Sequence, residues 1–268
     1  MSSPSTPPVL RTRRSGATAW LTLSRPASLN AFDFALQQAL RDEIDRVAAD
    51  DSVRCVVLTG DGRAFCAGAD LDIADVEPGR RLAPRTEDEL RMRYNPIVKA
   101  IRTMPKPVVA AVNGPAIGVG CALAMACDHV IAADTAVFSL AFAKVGLTLD
   151  AGASVLLGAR IGFGRVNRMA LLAEQVDAAT AASWGMVDAV VAADDLTGSV
   201  TERARRFATG PTLAFAATKR TLNAALLPHL DAVFESEVAG QTALVDSADF
   251  RSGAVAFAER RRPEFTGR

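Results

Sequence analysis

Apolar and polar residues alternate in Ala19-Trp20-Leu21-Thr22-Leu23, and that period of two predicts a strand. With residues 9–14 it forms a hairpin about Ser15-Gly16, and Arg25-Pro26 ends it. Asn30 is placed to cap a helix whose apolar stripe is Phe34, Leu36, Leu40, Ile44 and Val47. Residues 53–59 form a short continuous apolar run, which predicts a buried strand, and Asp61-Gly62 then turns the chain. This alternation of helix and strand predicts a parallel sheet with crossover helices.

Residues 76–86 are rich in Pro, Gly, Arg and Glu and predict a mobile surface loop. A helix over 87–102 and a core strand over 106–112 follow. A further helix begins near Ile117 or Gly118 and runs through Cys127, so small in composition that it can pack very closely on the sheet. Strands are predicted at 129–133 and 187–191, and a short one at 136–141. Helices are predicted at 151–157, 165–172 and 178–184. From residue 196 onward the pattern is purely helical: 196–207, 213–226, 230–245, and a last helix from Ser252-Gly253 to before Pro263. The expected organisation is a flexible Ser/Pro-rich tail at 1–8, one α/β core at 9–195 and a helical extension at 196–268.

Charge and composition narrow the function classes. Lys plus Arg and Asp plus Glu are both 30, so no charge excess points to nucleic acid or a membrane surface. There is no apolar run of membrane-spanning length and no signal-peptide pattern at the N-terminus. The four cysteines sit among small apolar residues, as buried free thiols in a reducing compartment would, and a cytoplasmic location is expected. Two histidines and no ligand cluster give no metal site, and no redox cofactor is implied.

Chemistry concentrates in two glycine-rich turns and one acid. In Phe65-Cys66-Ala67-Gly68-Ala69-Asp70-Leu71, Gly68 lets backbone approach a ligand and leaves the Ala69 N–H available. A plain helix start is the bland alternative. In Asn113-Gly114-Pro115-Ala116-Ile117-Gly118-Val119-Gly120, a helix beginning at Gly118 leaves Val119 N–H as a second donor. The second turn carries no dinucleotide or phosphate-loop fingerprint, and a close-packed helix–sheet contact is its bland alternative. Two N–H groups aimed at one carbonyl oxygen are what an enolate or tetrahedral oxyanion requires. Asp150, in Lys144-Val145-Gly146-Leu147-Thr148-Leu149-Asp150-Ala151-Gly152, is the acid–base candidate. It is also placed to cap the helix after it, which would lower its pKa, whereas apolar surroundings from Leu140, Phe142 and Ala122 would raise it.

These two turns, with Ala126-Cys127-Asp128 and the ending Gly253-Ala254-Val255-Ala256-Phe257-Ala258-Glu259-Arg260-Arg261-Arg262-Pro263, resemble the crotonase, or enoyl-CoA hydratase/isomerase, superfamily. The resemblance runs from about Leu21 to Phe265. It implies a spiral of ββα units with a C-terminal helical trimerisation region, assembly as a trimer or dimer of trimers, and acyl-CoA thioester substrates. Ala69 and Val119 match the residues whose amides form the family's oxyanion hole. Ala67, Gly68, Asp70, Leu71, Gly118, Gly120, Leu140 and Phe142 are the expected substrate-binding positions, and Arg25 matches a position near the nucleotide end of CoA. Coenzyme A enters as part of the substrate, and no other cofactor is needed.

The departures from the family pattern bear on the reaction. The two glutamates of family hydratases are replaced by Ala122 and Phe142, and neither can move a proton. Asp150 matches the carboxylate of the single-acid isomerase branch, with Leu149 where that branch has Pro. The reading is an acyl-CoA isomerase that shifts a carbon–carbon double bond through an enolate. An enoyl-CoA hydratase and a non-catalytic acyl-CoA binder stay open as alternatives. Leu90, Met92, Tyr94 and Ile97 are expected to line an apolar acyl pocket. Lys144 reads as a surface or subunit-contact residue, and Lys219, Arg220 and Arg260 to Arg262 read as solvated surface, with contact to CoA a lesser role for Lys144 and contact to its phosphates a lesser role for Lys219 and Arg220. His129 is expected to structure the turn beside Asp128. Phe234, Phe250 and Phe257 are expected to pack helices or close a neighbour's acyl pocket.

Overall fold

The computed structural model of the protein describes residues 7–71 and 80–268. Most of the expected tail at 1–8, and residues 76–79 of the expected loop, lie outside them. The N-terminal hairpin is β1 (Leu10–Ser15) and β2 (Thr18–Leu23). Then come α1 (Phe34–Ala49), β3 (Cys55–Gly60), α2 (Ala83–Glu89), α3 (Asn95–Thr103), β4 (Val108–Val112), β5 (Ala116–Ile117), α4 (Val119–Ala126), β6 (His129–Ala133) and β7 (Val137–Ser139). The chain continues through α5 (Ala153–Ile161), α6 (Phe163–Leu171), β8 (Gln175–Asp177), α7 (Ala178–Ser183) and β9 (Ala189–Val191). It ends in the helices α8 (Leu196–Thr209), α9 (Thr212–Leu226), α10 (Leu230–Leu244) and α11 (Ala248–Ala258). This is the expected core of ββα units followed by a helical extension.

The main sheet has the order β1-β2-β3-β4-β6-β9, antiparallel only at the hairpin. A small sheet, β5-β7-β8, stands apart from it. The period of two sorts the strand residues onto two faces. Leu21, Val56, Leu58, Ala110 and Val130 face a large core with α1, α3 and α4. Trp20, Val57, Val109 and Ile131 face Leu196, Val200, Ala204 and Ala208 of α8. Both faces are covered, which explains why the central strands read as unbroken apolar runs. All four cysteines are free and buried, and burial pushes each thiol up to about 12. Among the described residues no helix is long and apolar enough to cross a membrane.

Several local expectations are corrected. Asp33, not Asn30, caps α1: its carboxylate accepts from Leu36 N at 2.8 Å. Asn30 sits at φ 58° and gives its amide to the carbonyls of Asp61 and Ala64, tying the two loops together. Phe34 leaves the stripe, exposed beneath the Arg93 guanidinium. Residues 83–86 are helix rather than loop, because Pro84 suits a first turn and Arg85 pairs with Glu89 one turn on. The chain from Ala83 to Thr103 stays helical, with one widened turn at Leu90–Tyr94. The last helix starts earlier than expected, at Ala248, because Ser247 accepts from Phe250 N.

Lys219 is neither a solvated residue nor a free cation. Its ammonium is buried and donates to Asp128 Oδ2 at 2.6 Å, Ile101 O at 2.6 Å and Lys106 O at 3.3 Å. Asp128 also meets Arg102 at 3.1 Å. This network pins α9 to the end of α3 and the start of β4. It also withdraws Asp128 from His129, whose Nδ1 instead lies 3.4 Å from Asp188 and whose ring meets Phe207 edge-on. Phe234 and Phe250 are buried between helices, whereas Phe257 and Arg260 to Arg262 are exposed.

Removing one member of a buried ion pair strands the other. Lys219→Met is expected to cost about 3 kcal/mol of stability, read from the denaturant midpoint. A midpoint equal to that of the parent protein would mean that Arg102 alone satisfies Asp128.

Candidate active site

The site begins with two backbone turns held side by side. Cys66 N donates to Pro115 O at 3.1 Å and Ile117 N donates to Cys66 O at 2.9 Å, so residues 66 and 116 pair as a parallel bridge. Gly68 (φ 105°) and Gly118 (φ 54°) end the paired stretches in conformations that L side chains rarely adopt. A Cβ on Gly118 would lie 3.9 Å from Gly68 Cα, which shows how close the turns approach. A Cβ on Gly120 would collide with the Cys66 carbonyl. Each positive-φ glycine is followed by a residue whose N–H is free of the ladder. Ala69 N and Val119 N have no hydrogen-bond acceptor among the described residues, while the flanking Asp70 N and Gly118 N are bonded to Phe32 O and Ser139 O. Val119 is also the first residue of α4, where the helix dipole adds partial positive charge. The plain helix start at residues 66–71 does not occur.

The walls around this pair are apolar. Leu140 and Ala122 are buried, and the Phe142 ring stands 3.8 Å from where a Gly118 Cβ would be. Phe32 bridges to Ala69 and packs against Tyr94, ring centroids 5.9 Å apart. Of the residues expected to line an acyl pocket, Leu90, Tyr94 and Ile97 are buried, whereas Met92 is 59% exposed. The expected binding residues Ala67, Asp70 and Leu71 share the first turn, and Asp70 and Leu71 are exposed at its rim. Arg25 reaches this rim with its charge already matched. It pairs with Asp33 at 3.1 Å and Asp70 at 2.8 Å and donates to Ala31 O. Lys144 lines a separate pocket with Phe257, Arg261 and Arg262.

Asp150 is 7% exposed and does not cap a helix. Ala151 (φ 55°) and Gly152 (φ 74°) turn the chain before α5 begins at Ala153. The cap comes from Glu237 on α10, which accepts from Gly152 N at 2.7 Å, Ser154 N at 3.2 Å and Ser154 Oγ at 2.7 Å. One turn further along α10, Gln241 Nε2 donates to Thr148 O at 2.7 Å and to Asp150 Oδ2 at 3.1 Å. Asp150 Oδ1 is buried with no partner among the described residues. Burial, then the nearby Glu237 carboxylate, holds the Asp150 carboxyl well above the usual range, against the smaller pull of Gln241. Burial raises Glu237 too, but three donors restrain it, so Glu237 is the better anion of the pair. The Tyr94 phenol is raised by burial and then by the charge of Asp150, which places the two side chains within electrostatic reach of each other.

Sequence reasoning missed Glu237 and Gln241. A signal existed: two polar residues four apart on the face of α10 that otherwise buries Phe234 and Val238. Nothing local shows where that face docks.

The arrangement therefore offers two unpaired N–H donors, an apolar wall and one buried acid with a free oxygen. The family model described as enoyl-CoA hydratase/isomerase matches residues 13–268. The chain is 41% identical to the 1,2-epoxyphenylacetyl-CoA isomerase of Escherichia coli K12, over 92% of this chain and 94% of that protein. It is 42% identical to a probable enoyl-CoA hydratase of Rhodobacter capsulatus, over 97% and 98%. Among solved structures, an enoyl-CoA hydratase from Mycobacterium avium subsp. paratuberculosis K-10 superposes with a TM-score of 0.87 at 41% identity, covering 96% of this chain and 98% of that one.

A raised pKa also sets a pH dependence of stability. Unfolded, Asp150 loses its proton near pH 4; folded, it keeps that proton to a much higher pH. Between the two values the native state binds more protons, so stability falls as pH rises. Asp150→Asn removes this titration. Its stability relative to the parent is expected to grow from acid toward neutral pH in paired denaturation curves. A difference that shrinks over that range would mean that the folded pKa is depressed.

Proposed function

The chain belongs to the enoyl-CoA hydratase/isomerase family of enzymes, and from that premise we propose that it is an acyl-CoA isomerase that shifts a carbon–carbon double bond. The observation that carries this reading is the state of Asp150: buried, held by one oxygen, free at the other, and with its carboxyl pushed above the usual range by burial. The N–H groups of Ala69 and Val119 take the thioester oxygen and stabilise the enolate as charge moves onto it. Asp150 removes a proton from the α or γ carbon and returns it at the other end of the conjugated system. A proton shuttle needs one acid–base group whose pKa is lifted toward working pH, and desolvation supplies that lift. Gly68, Gly118 and Gly120 shape the oxyanion turns, Ala67, Asp70 and Leu71 line their rim, and Leu140 and Phe142 bound the acyl group. Arg25 joins the binding set at the rim, with Asp70 sharing its charge.

Leu90, Tyr94 and Ile97 favour an apolar acyl chain or ring. Residues 196–268 are assigned to assembly as a trimer or dimer of trimers. The exposed Leu213, Leu222 and Leu226 of α9 support a covered face there. Sedimentation as a stable monomer would remove this part of the reading.

Hydration is the second reading, favoured by the name of the Rhodobacter relative. Ala122 and Phe142 stand against it, and Glu237 does not replace the missing acids, because its oxygens are occupied by Gly152 and Ser154. Asp150→Asn is expected to lower isomerisation of 3-enoyl-CoA about a hundred- to ten-thousandfold. An unchanged rate would exclude Asp150 as the base. Rapid loss of conjugated-enone absorbance from crotonyl-CoA, abolished by the same substitution, would make the protein a hydratase. Tight acyl-CoA binding without turnover of any enoyl-CoA would make it a binder.

A further inference from the structure

Asp150 stands two residues before a helix N-terminus, where an aspartate ordinarily turns back to take the free N–H groups. Those groups are already taken. Glu237 arrives from α10, 83 residues beyond Ser154, and binds Gly152 N, Ser154 N and Ser154 Oγ. The side chain that follows it on the same face, Gln241, anchors Asp150 Oδ2 and Thr148 O through one amide nitrogen. Asp150 Oδ1 is left buried without a partner, and so is Gln241 Oε1.

We propose that Glu237 and Gln241 are positioning residues for Asp150: Glu237 releases it from helix capping by serving as the cap itself, and Gln241 fixes one carboxyl oxygen so that the other faces the substrate. The proposal rests on the reading of Asp150 as the acid–base group. Its physical content is a division of labour. A carboxylate that capped α5 would be stabilised as the anion by backbone N–H groups and would be a weak base. A carboxyl held by a neutral amide is oriented without being forced to ionise, as an Arg or Lys partner would force it. Glu237 supplies the capping charge and, as a close anion, disfavours a second charge on Asp150.

The other titratable groups around Asp150 do not replace these two. Tyr94 faces it from the long helix, and its phenol is neutral at working pH. Cys66, on the first glycine turn, is likewise neutral. Glu89 and Arg93 lie along the helix near Tyr94, 3.9 Å from each other, and their charges offset. The groups with direct leverage on Asp150 are the ones α10 delivers.

The test compares Glu237→Gln, Gln241→Leu and Asp150→Asn with the parent enzyme. The readouts are kcat and KM across pH for 3-enoyl-CoA, and an infrared titration of the protonated Asp150 carboxyl, assigned by its absence in Asp150→Asn. Glu237→Gln removes the neighbouring charge, so the acid limb and the infrared midpoint are expected to move down. Gln241→Leu removes a donor to the anion, so both are expected to move up. In each variant kcat falls by about tenfold or more while KM changes little. A role in folding alone lowers stability and leaves the limb where it was. Folded Glu237→Gln and Gln241→Leu variants with parental pH limbs and parental midpoints would overturn the proposal. Glu237→Asp, which keeps the charge, serves as the second variant if Glu237→Gln does not fold, with its midpoint expected to remain near that of the parent. If Asp150→Asn keeps full activity, the reading of Asp150 fails first; if it is inactive while the α10 variants titrate as the parent does, only this inference fails.

Discussion

Everything at the site depends on two turns of backbone approaching with no side chain between them. The ladder from Cys66 to Pro115 and Ile117 brings the segments together, and Gly68, Gly118 and Gly120 remove the atoms that would hold them apart. The constraint is steric before it is electrostatic. Once the turns meet, positive φ at Gly68 and Gly118 frees the next N–H in each from the ladder. The surrounding sheet and α4 then fix the direction in which those groups point. Donors held this way need little reorganisation when charge develops nearby, which is what an oxyanion hole requires.

The acid is organised by a different principle. Its local sequence would make it a cap, and its burial would leave it costly to ionise. The helical extension settles the first by delivering Glu237 to the helix terminus, and it orients the carboxyl through Gln241, while burial and the Glu237 charge keep ionisation costly. The extension therefore does more than cover the core. A buried carboxyl with an unpartnered oxygen is a destabilising feature, and the tightly packed interior around Phe32, Tyr94 and Leu140 sustains it.

The same logic separates charged residues that hold the frame from those available to a ligand. Lys219 and Asp128 share bonds that join α9 to the sheet, and Arg25 is matched between Asp33 and Asp70. Lys219 reads in sequence as part of a solvated helix face, yet it sits with Asp128 at a junction of elements. Burial of Lys219 follows from where α9 lands, which no local pattern encodes.

The sequence by itself determined the strands of the core, the helical character of residues 196–268 and the two glycine turns, because each rests on near-neighbour periodicity or on a backbone conformation only glycine readily adopts. It also marked Asp150 as the acid most worth following, and the family motifs supported the same choice. It placed the cap of α1 at Asn30 instead of Asp33, because both residues suit a cap and only the contact with residues 61 and 64 decides between them. It left the role of Asp150 divided between cap and base. Tertiary structure decided against the cap, through a helix more than eighty residues away that supplies Glu237 in its place. Local sequence sets what a residue can do by its own geometry; which of those things it does depends on which partners the fold brings within hydrogen-bond reach.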